Sequence, residues 1–572
     1  MKWFVASLAL FALSASALAQ DLADYLPEDT VVAFGVHDLN TVADKLDPFF
    51  DEWDRLELTE LLGVVFADGA DELDPEIPDE ADDLLAELEG LTVLDVLGEE
   101  AWIAVSASRF NPLPAFTVLA RPSSAAFVRA TALMEEHHAA HPDAVEELRE
   151  GDYLFYLERL DDPDAPADAV AYTVMSDLIA LSSNPDVLRG VLRRYGGADE
   201  PSFVTSDGYR DTLGRLDAGN LHTYFDYSSI GDSLLPFAQG MGFDEAANRL
   251  QRAFATFGLT SSVLSVTDDG FVTEGWQRID PDGRDETLQR LLADAGAIDP
   301  AGLNFVPEEA ISYSLTSTDL AGWWQYLNEL AATVPELGGD LNMLVLSFIG
   351  LDIDRAFFSW TEPAIATATL GLAEVTAPGM PVDNFLGELV YAIRTSDEAA
   401  AQAGLDEVFE MLAMTLAMFA DPMGDPGEFQ AEVEEVAGVT VTHYDVVPGL
   451  SLSYAVTDGH ALIATSRGAI AAAIDTTAQV ALPSGVPADA TRVGYTDTRR
   501  SLEGTAQGLR GQVEMAAGLT GAAGLDFDAV TQASAAIEEF VNFVASRAGE
   551  SVNYTVVSDD GIYSYSTTEV TW

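Results

Sequence analysis

Three of the chain's seven histidines fall within the run Glu135-Glu136-His137-His138-Ala139-Ala140-His141. On a helix His137 and His141 stand one turn apart on one face, a spacing that suits Zn²⁺ or Cu²⁺. No glutamate follows His137, so the zinc-protease pattern H-E-x-x-H is absent, and no third ligand is evident. Histidines in the last turn before Pro142 also complement the helix dipole. No metal centre is assigned, and His137 and His141 stand as the candidates.

Carboxylates recur where strands give way to helices, at Asp38, Asp226, Asp319 and Asp497. Such groups could act as acid and base. As N-caps they would instead accept an orphan N–H of the first helical turn. The stretch Asp280-x-Asp282-Gly-x-Asp285-Glu286 and the acidic loop Asp161 to Asp168 resemble fragments of calcium loops without their full ligand spacing, and read as solvated loops. Two aromatic groups, Trp323-Trp324 with Tyr326, and Tyr554, Tyr563, Tyr565 with Trp572, would fill a core or seat a sugar or a partner.

Several chemistries are missing. There is no cysteine, hence no thiol nucleophile, and no P-loop, S-x-x-K or G-x-S-x-G motif. No catalytic residue and no cofactor is assigned.

The elements that would position these groups are organised around Leu26 to Leu39, L-P-E-D-T-V-V-A-F-G-V-H-D-L, a turn, a strand and a helix start. A related stretch runs from Val306 to Leu320. The closing hairpin V-T-D-D-G-F at Val266 returns as V-S-D-D-G-I at Val557. In both, Asp-Gly suits a two-residue hairpin turn. These ordered matches predict an α+β fold of two tandem duplicated domains, residues 20–283 and 284–572, each an antiparallel or mixed sheet covered by helices.

Residues 1–19 have a lysine, an apolar run and an Ala17-Leu18-Ala19 end, which reads as a cleaved signal peptide. No cysteine follows it to carry a lipid, and no later apolar run reaches the roughly 20 residues a spanning helix needs. A periplasmic or secreted protein is expected, with no membrane span in the mature chain. Lacking cysteine, it must be held by core burial, for which 572 residues and 48% hydrophobic content are ample.

Against 26 basic residues stand 96 acidic ones, a net charge of −70, and the only lysines are Lys2 and Lys45. That surface repels nucleic acid and anionic lipid, whose binding needs clustered cations. It suits solvation in a salty environment, or attraction of cations or a basic partner.

At Leu26-Pro27-x-Asp29-Thr30, at Asp38-Leu39 and at the strand L-I-A-L-S-S, the chain resembles an uncharacterised bacterial family of secreted or membrane-anchored proteins known only as a domain of unknown function. The resemblance implies an envelope location and no established activity. The first expectation is a non-enzymatic binding or structural module with a protein or polymer partner in the envelope or exterior. The alternatives are a secreted hydrolase using strand-end carboxylates and a cation-binding acidic protein. Oligomeric state is open.

Overall fold

The computed structural model describes residues 21–58, 61, 99–107, 114–159, 169–240, 244–279, 285–293, 296–333, 341–373, 386–420, 431–447, 450–476, 480–506, 527–558 and 560–572. The segment read as a signal peptide and the acidic loop 161–168 lie outside them.

Ten strands come from the first part of the chain: β1 Thr30–His37, β2 Glu100–Ser106, β3 Ala115–Ala120, β4 Val145–Glu150, β5 Tyr153–Arg159, β6 Ala169–Val174, β7 Ile179–Ser182, β8 Leu221–Asp226, β9 Leu259–Thr267 and β10 Gly270–Arg278. Ten more follow: β11 Ser312–Thr316, β12 Thr361–Ala373, β13 Leu386–Thr395, β14 Glu432–Val436, β15 Val439–Val447, β16 Leu450–Thr457, β17 His460–Ala464, β18 Ala490–Asp497, β19 Ala548–Ser558 and β20 Gly561–Val570. All pair antiparallel, in the spatial order 4-5-6-7-3-2-1-8-9-10-20-19-18-11-12-13-17-16-15-14.

This corrects the expectation of two tandem duplicated domains with a sheet each. The strands make one 20-stranded sheet, and only the α+β class stands. Each closing hairpin leaves one strand with an unpaired edge, and such edges pair with whatever strand lies alongside. Here β10 and β20 pair with each other, from Gly270 opposite Glu569 to Gln277 opposite Ile562. Alternation within a strand reports its buried face but not its neighbour. Trp572 locks the seam: its indole N–H donates to the Thr267 carbonyl at 2.8 Å, and its ring packs edge-on against Phe271 and Phe49. Lys45 lies over that ring and pairs with Asp268 at 2.8 Å.

The hairpin turn also differs from expectation. Asp268 and Asp269 form the two-residue β9–β10 loop. The positive φ of 136° belongs to Gly270, the first residue of β10.

Apolar side chains gather in two main cores. One joins Leu22, Leu26, Trp102, Leu119, Phe155, Leu188 and Phe203; the other joins Leu303, Tyr313, Leu315, Val441, Leu462, Ile470 and Val493. Each fully buried leucine contributes about 1.5–3 kcal/mol. Helices pack on the sheet where the sequence caps them, one of them over a smaller cluster of Ala101, Val118, Ala120, Ile179 and Leu181. Ser123 accepts from the Ala126 N–H to start the helix Ser124–Ala140, and Asn184 with Pro185 starts Pro185–Tyr195, whose Leu188, Val191 and Leu192 are buried. No helix among the described residues is long and apolar enough to cross a membrane.

Two of the strands not foreseen stand out by composition. β4 (V-E-E-L-R-E) and β14 (E-V-E-E-V) are glutamate-rich, and among the described residues each pairs on one side only, at the two ends of the sheet.

Candidate functional site

Cross-strand register builds a buried polar cluster on β1 and β2. Gly35 stands opposite both Trp102 and His222, and two residues on, His37 stands opposite Glu100. Residues two apart share a face, so one face carries Trp102, Glu100, His37 and His222. A β-carbon at Gly35 would lie 2.5 Å from the Trp102 ring, so only glycine lets the indole cross the strand. The His37 and His222 rings meet at 4.7 Å between centroids, and Trp102 lies edge-on to both.

Glu100, only 6% exposed, accepts from the Leu22 N–H, from Trp102 Nε1 at 3.2 Å and from Arg121 Nε at 2.6 Å. Asp21 caps the turn Leu22–Tyr25 through the Ala23 N–H at 2.9 Å, and that turn buries Leu22 and Tyr25. Burial, then the neighbouring Asp21 carboxyl, pushes Glu100 up from the usual carboxylate range. Burial holds His37 and His222 down. His37 Nε2 and His222 Nδ1 are buried with no hydrogen-bond partner.

A second site lies beside the seam, on β11, β18, β19 and β20. A groove of about 830 Å³ is walled by Tyr313, Tyr495, Tyr554 and Tyr565, with Asp497, Glu550, Glu569 and Arg500 around them. Tyr313 and Tyr495 stack at 5.3 Å, and Tyr554 and Tyr565 at 5.1 Å. Burial raises the Tyr495 and Tyr554 hydroxyls and pushes Tyr313 up to about 12, so all three stay neutral donors at physiological pH. Flat rings beside carboxylate acceptors can stack on a ligand's apolar face and accept from its hydroxyl or amino groups.

The family described as "Protein of unknown function (DUF3352)" matches residues 158–487. The chain belongs to that family. The matched span begins after the L-P-E-D-T opening and takes in β6 to β17. Comparison with curated proteins and with solved structures found no match.

In this family member the residues singled out by sequence fall as follows. His137 Nε2 lies 3.0 Å from Glu158 Oε1, and its ring stacks on His141 at 4.5 Å. The group of three donors able to hold a metal forms elsewhere among the described residues, at Asp21, His37 and Glu100. Three of the four strand-end aspartates cap helices: Asp226 accepts from the Ser229 N–H, Asp319 from Gly322 and Asp497 from Arg500. Asp38 does not. It adopts a left-handed conformation with φ 51° and makes no side-chain cap.

Asp285, one of the calcium-like residues, caps its helix through the Leu288 N–H and accepts from the Tyr326 hydroxyl at 3.1 Å. Asp280 and Asp282 lie outside the described residues. Tyr326 is buried, and Trp324 stacks on Phe358 at 5.0 Å, so these aromatics fill space. Tyr554 and Tyr565 instead line the groove.

Sequence reasoning passed over His37 and Glu100. The available signal was a polar residue at each end of an apolar strand, on the face that its Gly35 or Trp102 neighbour buries. A hydrogen-bonded line also missed is Ser453, His443 and Glu434, with His443 Nδ1 2.7 Å from Ser453 Oγ and Nε2 3.1 Å from Glu434 Oε1. The register places them on adjacent strands β16, β15 and β14. Ser453 and His443 are both 0% exposed, which seals the serine from any substrate.

Proposed function

We propose that the chain is a non-enzymatic binding protein of the periplasm or exterior, delivered by a cleaved leader, whose tyrosine groove seats a hydroxyl-rich polymer such as an envelope glycan. The observation that carries this reading is the stacked tyrosine pairs set among carboxylates on four adjoining strands. Aromatic faces take the CH faces of sugar rings, and carboxylates accept from sugar hydroxyls. The net charge of −70 disfavours anionic polymers. A rigid sheet suits binding, since preorganised side chains lose little entropy when a ligand arrives.

The test is a panel of neutral glycans and basic peptides at 0.5 M NaCl, with Tyr495→Ala/Tyr565→Ala as the control. Saturable glycan binding, weakened at least tenfold in the double variant, supports the reading. Binding of basic peptides alone replaces the glycan with a cationic protein partner. No binding, or binding indifferent to both substitutions, removes the groove from consideration.

A hydrolase is the second reading, favoured by the serine–histidine–glutamate line at Ser453. Its sealed serine weighs against it. Turnover of a polymer or ester substrate, abolished by Ser453→Ala in a folded protein, would restore it.

A further inference from the structure

We propose that Asp21, His37 and Glu100 bind one first-row divalent cation of the zinc type, which clips the start of the described chain onto β1 and β2. Their three donor atoms, two carboxylate oxygens and one imidazole nitrogen, all lie within 4.8 Å of one another. Ligands bound at roughly 2.0–2.2 Å to a common ion come no further apart than this. One nitrogen among oxygens favours Zn²⁺, Mn²⁺ or Fe²⁺ over Ca²⁺ and Mg²⁺, which prefer oxygen alone.

The second observation is independent of the acids. His37 Nε2 is buried with no hydrogen-bond partner, and a stranded polar atom destabilises the fold. A cation coordinated at that nitrogen satisfies it. His37 belongs to the three-donor group, so the imidazole with the stranded nitrogen stands beside both carboxylates.

The surroundings suit a metal. His37 and Glu100 are directly opposed in the β1–β2 register, so two ligands sit on rigid backbone. Trp102 Nε1 and Arg121 Nε orient Glu100, and the His222 ring packs beside His37. A carboxylate has about four acceptor sites. The Leu22 N–H, Trp102 and Arg121 use three on Glu100, and the fourth faces the Asp21 carboxyl, the place a bridging cation would take. Glu100 is buried while Asp21 and His37 are half-buried, which gives an ion an approach from their side. Three protein ligands leave a fourth position for water.

The clip has a structural consequence. Asp21 leads directly into Leu22, Tyr25 and Leu26, all buried in the first core. Joining Asp21 to two strands therefore holds that apolar turn in place.

The experiment uses the whole protein, stripped with EDTA and held in 1 M NaCl, where the Debye length is about 3 Å and diffuse binding to surface acids is screened. Zn²⁺ is titrated by calorimetry and Co²⁺ by tryptophan quenching and visible absorption. The expected result is one ion per chain, quenching of Trp102 fluorescence, a higher melting temperature with Zn²⁺, and at least tenfold weaker binding in His37→Gln and in Asp21→Asn. Should His37→Gln fail to fold, Asp21→Asn decides alone, because it lies before the first strand. No stoichiometric binding, or binding and stabilisation unchanged in a folded Asp21→Asn, overturns the proposal and leaves Asp21 and Glu100 as carboxyls sharing a proton.

Discussion

Gly270 and Thr568 meet across the seam so closely that a β-carbon on Gly270 would fall 2.0 Å from the Thr568 carbonyl oxygen. The same glycine carries the positive φ that starts β10. Two independent constraints therefore demand glycine at one position, and both belong to the contact that joins β10 to β20.

Gly270→Ala should lower stability by about 1–3 kcal/mol, the usual range for forcing atoms into filled space. Hydrogen exchange should localise the loss to the amides between Gly270 and Gln277 and their partners between Ile562 and Glu569. Uniform exchange with unchanged denaturation would show that the seam contributes nothing to stability.

The four strand-end aspartates now separate by mechanism. Asp319→Ala should cost about 0.5–2 kcal/mol in urea denaturation, because it removes the bond to the Gly322 N–H. Asp38→Gly should be neutral or stabilising by up to about 1 kcal/mol, since it relieves a left-handed backbone and breaks no cap. Equal losses at both positions would contradict this distinction.

Buried tyrosines should set the alkaline limit of the fold. Burial pushes Tyr209 and Tyr313 up to about 12, and burial with Asp285 does the same for Tyr326, against an ordinary value of 10.0. Each is an acid whose folded form holds its proton longer than the unfolded form. Its contribution is complete below about pH 10 and is lost as pH rises from about 10 to about 12. Tyrosinate absorbance at 295 nm should rise for the surface tyrosines first, then cooperatively as circular dichroism collapses. A single gradual rise, complete before unfolding, would count against this assignment.

Individual elements were readable because their local patterns and stop signals are strong. The apolar run Ala115–Ala120 and the helix ahead of Pro142 appear where patterning places them. β4 escaped because V-E-E-L-R-E has few β-formers, and its pairing with β5 overrides that propensity. Asp38 misled because cap preference describes residue type, whereas this backbone had already turned left-handed. Of the groove, Tyr554 and Tyr565 stood out as part of an aromatic cluster. Their assembly with Tyr313 and Tyr495 needed the order β20-β19-β18-β11, which no local pattern encodes. The polar cluster was hidden for the same reason: His37 and Glu100 become neighbours only through register, and Asp21 joins them only through the turn whose Leu22 N–H donates to Glu100.

The glutamates of the two terminal strands have a consequence for the molecule as a would-be polymer. A twenty-strand antiparallel ribbon is a template, and the end strands, each paired on one side only among the described residues, are growth points to which another chain could add by backbone hydrogen bonding. Glu146, Glu147 and Glu150 stand at one end, and Glu432, Glu434 and Glu435 at the other. Any end-to-end meeting of copies sets acidic strand against acidic strand, so the composition of both ends works against the growth that their backbones would otherwise template.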